Sequence, residues 1–126
     1  DPRVAARVAP GELASAADYL DMHRRRRAWI GRVNQGLAPF DALVCPTVPL
    51  LAPPIEELRT HDETFFKTNA LLLRNTFLIN LLDGCAFSLP CQTPGDLPVG
   101  LMLAAPGGQD AHLGTVALAV EAALRS

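Results

Sequence analysis

Hydrolytic chemistry needs an activated hydroxyl or thiol with a base in reach, and this sequence is short of both. Its serines are Ser15, Ser88 and Ser126: the first stands at the start of an amphipathic segment, the second inside an apolar run, the third at the terminus. No G-x-S-x-G elbow occurs. Lys67 is the sole lysine, so any serine–lysine pair within the chain would have to use it; its place on the first turn of a helical segment predicts solvent exposure instead. His23, His61 and His112 are widely separated, with none at metal-pair spacing, and read as surface or helix-face residues; neither a metal nor a cofactor is called for. Cys45 ends an apolar run just before Pro46, a position where nucleophiles occur, but no partner base accompanies it. Cys45, Cys85 and Cys91 lie in apolar or proline-rich settings without C-x-x-C spacing, which predicts buried thiols rather than disulfides or zinc ligands.

Arg74 and Asn75 carry more information, because they interrupt an otherwise apolar helical stretch where a charge is costly unless paired or facing a cavity. Two roles are open. Arg74 could bond strand-end carbonyls or a carboxylate such as Asp83 and hold layers together. Alternatively, the polar pair could line a substrate pocket completed by other polypeptide. Asn80 reads as a buried amide that caps or pins a loop.

The elements that must position these residues follow from periodicity. Ser15 and Asp18 form a capping-box-like start, after which Tyr19, Met22, Arg26, Ile30, Val33 and Leu37 recur at steps of three or four, predicting a helix over about 13–36. Arg24, Arg25 and Arg27 would coat its solvent side. Phe40 to Cys45 reads as a short buried strand ending at Pro46, and Pro49, Pro53 and Pro54 forbid regular structure for some ten residues beyond it. From Asp62 to Leu82 there is no proline or glycine, and apolar residues surround nearly the whole helical wheel, so this helix should be buried on most sides. Cys85–Leu89 and Pro98–Ala104 read as two strands joined, hairpin-like, through Pro94-Gly95-Asp96. Gln109 or Asp110 can cap a last helix with Leu113, Val116, Ala117, Val120 and Leu124 on one face. The order helix, strand, helix, strand, strand, helix predicts an α/β layered fold without repeats.

A chain of 126 residues has the length of one domain and can bury roughly two thirds of its unfolded surface. That is too little to enclose the 62–82 helix unaided, so part of its covering is expected from polypeptide outside this sequence. With 49% hydrophobic and 19% charged residues the composition is that of a folded globular protein. A formal charge of −2 and a lone basic cluster, Arg24–Arg27, without interleaved aromatics argue against nucleic acid. No apolar run reaches the roughly 18–20 residues that span a bilayer, so no membrane partner and a cytoplasmic location are expected. Because the sequence opens on Asp1 rather than methionine, it is expected to be a processed or excised part of something longer.

From about Tyr19 onward the sequence resembles the C-terminal region of the amidase signature family through several separate motifs. Phe40-Asp41-Ala42-Leu43-Val44-Cys45-Pro46-Thr47-Val48-Pro49, followed by Ala52-Pro53, is similar to that family's apolar strand with its Pro-Thr and Ala-Pro loop. Arg74-Asn75-Thr76, Asn80 and Ser88-Leu89-Pro90-Cys91 resemble the segment carrying an Asn, a Gly-rich turn and a Ser-x-Pro strand end. Leu97-Pro98-Val99-Gly100-Leu101-Met102-Leu103, then Gly107, Asp110, Leu113 and Glu121, resembles the pattern that closes the chain in these enzymes. Asp1-Pro2 with Arg7 and Gly11 is similar to the segment before the family's long helix. One departure stands out: the usual Gly-x-Pro-Ala turn is here Asp83-Gly84-Cys85-Ala86.

The resemblance implies the C-terminal part of an α/β/α sandwich around a large mixed sheet, a single partial domain over residues 1–126. It also implies amide hydrolysis by a serine, a cis-serine and a lysine that lie upstream, so that no catalytic residue can be carried onto this chain. The chain would supply strands, a packing helix and one pocket wall for a small amide substrate, with Arg7, Thr47, Arg74 and Asn75 as the candidate substrate contacts. Arg7, a planar two-pronged donor, would suit a substrate carboxylate. The implied partner is the missing N-terminal part of the domain, or a second copy of the chain. Two other readings stand beside this one: a non-catalytic structural or binding module derived from an amidase, and an independent cysteine hydrolase using Cys45.

Overall fold

The computed structural model describes residues 1–125; Ser126, the last of the three serines, lies outside them. Helix α1 (Pro2–Val8) runs into a 3-10 turn (Ala9–Leu13), followed by α2 (Ala16–Leu37), strand β1 (Leu43–Pro46), α3 (Ile55–Thr60), α4 (Asp62–Leu82), β2 (Cys85–Pro90), β3 (Gly100–Ala105) and α5 (Asp110–Leu124). The three strands form an antiparallel sheet in the order β1-β3-β2, with Cys45 and Ser88 both opposite Met102. Helices over a sheet place the chain in the α/β class. Among the described residues no helix is long and apolar enough to cross a membrane.

Side chains alternate across the central strand. On one face Leu103 and Ala105 join Leu89, Leu113 and Ala117 in a core under α5. On the other, Met102 and Ala104 meet Ile79 of α4, with Cys45 packed at the margin. Helix α2 lies against α4 in turn. Its start is a complete capping box in which the Ser15 hydroxyl and the Asp18 carboxylate each serve the other's backbone N–H.

Helix α4 stops where the chain turns left-handed at Asp83 (φ 55°), with the N–H of Gly84 donating to the Ile79 carbonyl at 3.1 Å. Gly84 is obligatory: a Cβ there would stand 2.7 Å from the Ala105 carbonyl oxygen. Arg26, the charge that interrupts the α2 stripe, closes this end. Its Nε donates to the Leu81 carbonyl at 2.8 Å, and a terminal nitrogen meets the Asp83 carboxylate. A cation on the last carbonyls of a helix is favourable for both the hydrogen bonds and the helix dipole.

Several expectations need correction. Two helices arise where none is expected: α1 at the N-terminus, and α3 directly after Pro54, which ends the proline loop by occupying the N-cap of that helix. The first strand starts at Leu43 rather than Phe40, which is exposed, and it includes Pro46. Helix α4 is not buried on most sides: only Ile79 and Leu82 are buried, because the sheet reaches only its last turns. Gln109 sits at the N-cap of α5 without a side-chain cap bond. Cys91 is exposed, and Cys45 and Cys85 are only partly covered. Asn80 is exposed, and Arg26 rather than Arg74 pairs with Asp83.

Candidate functional site

Helix α1 is held by Arg3. Its Nε donates to Asp62 Oδ1 at 2.8 Å, its other nitrogens reach the Leu58 and Arg59 carbonyls at the end of α3 (each 3.3 Å), and its guanidinium lies 4.2 Å from the centre of the Phe65 ring. Arg7 follows four residues later, on the same face of α1, and is thereby brought to α4. There it lines an open hollow of about 380 Å³ with Ala70, Leu73, Arg74, Phe77 and Leu78. Those five α4 residues recur at steps of three and four, one face of a helix.

Asn75, half-buried next to Arg74, points toward the sheet. Its Nδ2 donates to the Pro46 carbonyl at 2.7 Å, and its Oδ1 accepts from Arg74 Nε at 3.2 Å. Thr47, the residue after Pro46, extends the ladder by donating its N–H to the Gly100 carbonyl at 2.8 Å. Its Oγ1 lies 2.5 Å from Ser88 Oγ. Gly100, between them on β3, leaves the two hydroxyls room to meet: a Cβ would stand 2.5 Å from Ser88 Oγ and 2.6 Å from Thr47 Oγ1. The four predicted contact residues thus separate into Arg7 and Arg74 on the hollow, Thr47 at the sheet end, and Asn75 bonded to both neighbourhoods. Beside Thr47 a second hollow of about 220 Å³ opens between the proline loop and Pro98, Val99 and Gly100, and no charged residue lines it.

None of this amounts to a nucleophile with its base. The partner of Ser88 Oγ is another hydroxyl, and neither hydroxyl meets a histidine or a lysine among the described residues. Lys67 pairs with Glu63 at 2.6 Å on the solvent side of α4. Burial pushes the Cys45 thiol above its ordinary range, the opposite of what a thiolate nucleophile needs. His112 lies 3.4 Å from the Asp41 carboxylate. Two residues of this region escape a reading of the sequence. Arg3 carries no signal there beyond its i, i+4 spacing to Arg7. Ser88 looks like a strand-interior residue, though its offset of one from Phe87 and Leu89 puts it on the opposite face of the strand.

The amidase family model matches residues 2–113. Among curated relatives, the 2-amino-5-chloromuconic acid deaminase of Comamonas testosteroni is 36% identical over 97% of this chain and 26% of its own length. A glutamyl-tRNA(Gln) amidotransferase subunit from Salinispora arenicola is 35% identical over 98% of this chain and 25% of its own length. The corresponding amidotransferase protein of Acidothermus cellulolyticus is 39% identical over 68% of this chain and 17% of its own length. The chain therefore spans about a quarter of the length of the first two relatives. No solved structure matches it. With most of the chain inside the family match and the first two relatives aligned along almost all of it, the chain belongs to the amidase family.

Proposed function

We propose that this chain is the C-terminal segment of an amidase signature hydrolase that cleaves a carbon–nitrogen bond in a small carboxylate-bearing substrate. The observation that carries the reading is the open face of α4, where Leu73, Phe77 and Leu78 stay accessible beside Arg7 and Arg74. An apolar wall with two guanidinium groups is half of a binding site; the rest would come from the three quarters of the relatives' length that lies outside this chain. In the intact enzyme the segment would continue an α/β/α sandwich around a mixed sheet, of which β1–β3 form one part.

The catalytic groups belong to the upstream portion: a serine nucleophile deprotonated by a lysine through a cis-serine, with backbone amides holding the oxyanion. Ammonia or an amine leaves, and water releases the acid from the acyl-enzyme. By itself the segment is inactive, and its partner is that upstream portion. One relative is named as a deaminase of 2-amino-5-chloromuconic acid, a carboxylate-bearing substrate whose nitrogen is an amine rather than an amide, and others are named as glutamyl-tRNA(Gln) amidotransferase subunits, so the names support carbon–nitrogen bond cleavage without favouring one leaving group. In the enzyme encoded by the full reading frame, Arg7→Ala should raise KM for acidic amides while leaving neutral ones unchanged. An unaltered substrate profile would remove the carboxylate assignment, and ammonia release by the 126-residue chain alone would remove the upstream triad.

A further inference from the structure

We propose that Asn75 is a positioning residue that aims Arg74, so that the hollow over α4 takes a carboxylate between Arg74 and Arg7; the inference rests on the carboxylate reading above. Arg3, Arg24, Arg25, Arg26, Arg59 and Arg125 each meet a carboxylate. Among the described residues Arg7, Arg27, Arg32 and Arg74 meet none, and of these Arg7 and Arg74 share one hollow. The sole protein acceptor at the Arg74 guanidinium among the described residues is Asn75 Oδ1, on Nε. Its two terminal nitrogens, the pair that grips a carboxylate in two-pronged fashion, are left free.

Asn75 is suited to fix this geometry because its amide is itself fixed. With Nδ2 donating to the Pro46 carbonyl, the amide cannot flip, so Oδ1 faces Arg74. Pro46 is in turn held by its register opposite Leu101, and by the Thr47 N–H on the Gly100 carbonyl. A rigid path therefore runs from the central strand through the end of β1 to a guanidinium whose long side chain would otherwise sample many rotamers. Covering the hollow with further polypeptide would strip water from both arginines, and an anion is what then compensates them.

The test is a titration of the enzyme encoded by the full reading frame with succinate, followed by NMR at the arginine side chains. Signals of Arg7 and Arg74 should shift together. Asn75→Ala and the isosteric Asn75→Asp should each weaken succinate binding, the former about fivefold, the loss expected for one net hydrogen bond. Arg74→Lys keeps the charge but lacks the Nε–H, so Asn75→Ala should cause no further loss in that background. A loss of equal size in both backgrounds would make Asn75 a structural residue only and overturn the proposal. Unchanged affinity in both Asn75 variants would overturn it too, leaving the carboxylate reading intact. No succinate-induced shift at either arginine of the unaltered enzyme would sink both.

Discussion

On the side of the sheet that faces α5, Leu103 is 1% exposed and Leu113 0%, and with Leu89, Ala105 and Ala117 they form a core that closes within the chain. On the side that faces α4, Met102 and Ala104 find Ile79, with Cys45 at the margin, and elsewhere on the helix Phe77 is 58% exposed, with Leu71, Leu73 and Leu78 exposed as well. Both faces of the central strand are apolar, although the α4 side also carries the Thr47 and Ser88 hydroxyls at its end. They differ in how far the supporting helix lies along the sheet: α5 packs along β2 and β3, whereas α4 touches the sheet with its last turns and projects beyond it. The α5 side is a self-sufficient core, and the α4 side leaves apolar surface open.

The sharpest way to break that contrast is a pair of truncations. Leu113→Ala should cost about 2–5 kcal/mol, the range for emptying a fully buried leucine site, whereas Phe77→Ala should change stability by less than about 0.5 kcal/mol. Urea unfolding of the two variants would read this directly, and comparable losses would mean that the α4 side is closed in solution, by self-association for instance.

A smaller effect sharpens the comparison at the sheet end, where the two hydroxyls replace a hydrophobic contact. Gly100→Ala should destabilise by about 1–3 kcal/mol through overpacking, because its Cβ would press on Thr47 and Ser88. Adding Ser88→Ala should restore part of that loss, which a thermal-melt double-mutant cycle would detect as non-additivity.

The smallest effect lies on the outermost layer. Ser15→Ala should cost about 1 kcal/mol of helix stability. The Ser15 hydroxyl and backbone N–H hold the Asp18 carboxyl below its ordinary range. The Arg24 contact, with Arg25 beside it, does the same for Asp21. A carboxyl whose pKa is lowered by folding adds stability above its unfolded pKa, and that stability is lost as pH falls through the folded one. The first turns of α2 should therefore fray on acidification below the ordinary aspartate range, seen as lost helical circular dichroism, and Ser15→Ala should shrink that acid response.

The long helices and the three strands were legible because periodicity and proline placement speak for themselves over twenty residues, or at an abrupt strand end. Within the site, Arg74 and Asn75 were conspicuous as polar residues in an apolar helix. Arg7 and Thr47 came only from resemblance, since nothing local distinguishes them. Helices α1 and α3, of 7 and 6 residues, are too short to be stable on propensity; they are held by Arg3, whose partner Asp62 lies 59 residues away.

What the sequence determined by itself is local: where the long helices run, where the strands stop at prolines, and that the 62–82 segment is apolar around nearly its whole helical wheel. The tertiary structure decided pairings. It gave Arg26 rather than Arg74 to Asp83, set Ser88 beside Thr47 across Gly100, and carried Arg7 to the α4 hollow. Each of these depends on contacts between residues distant along the chain, whose geometry exists only once the sheet and its helices have packed, whereas periodicity records only which face of an element prefers to leave water.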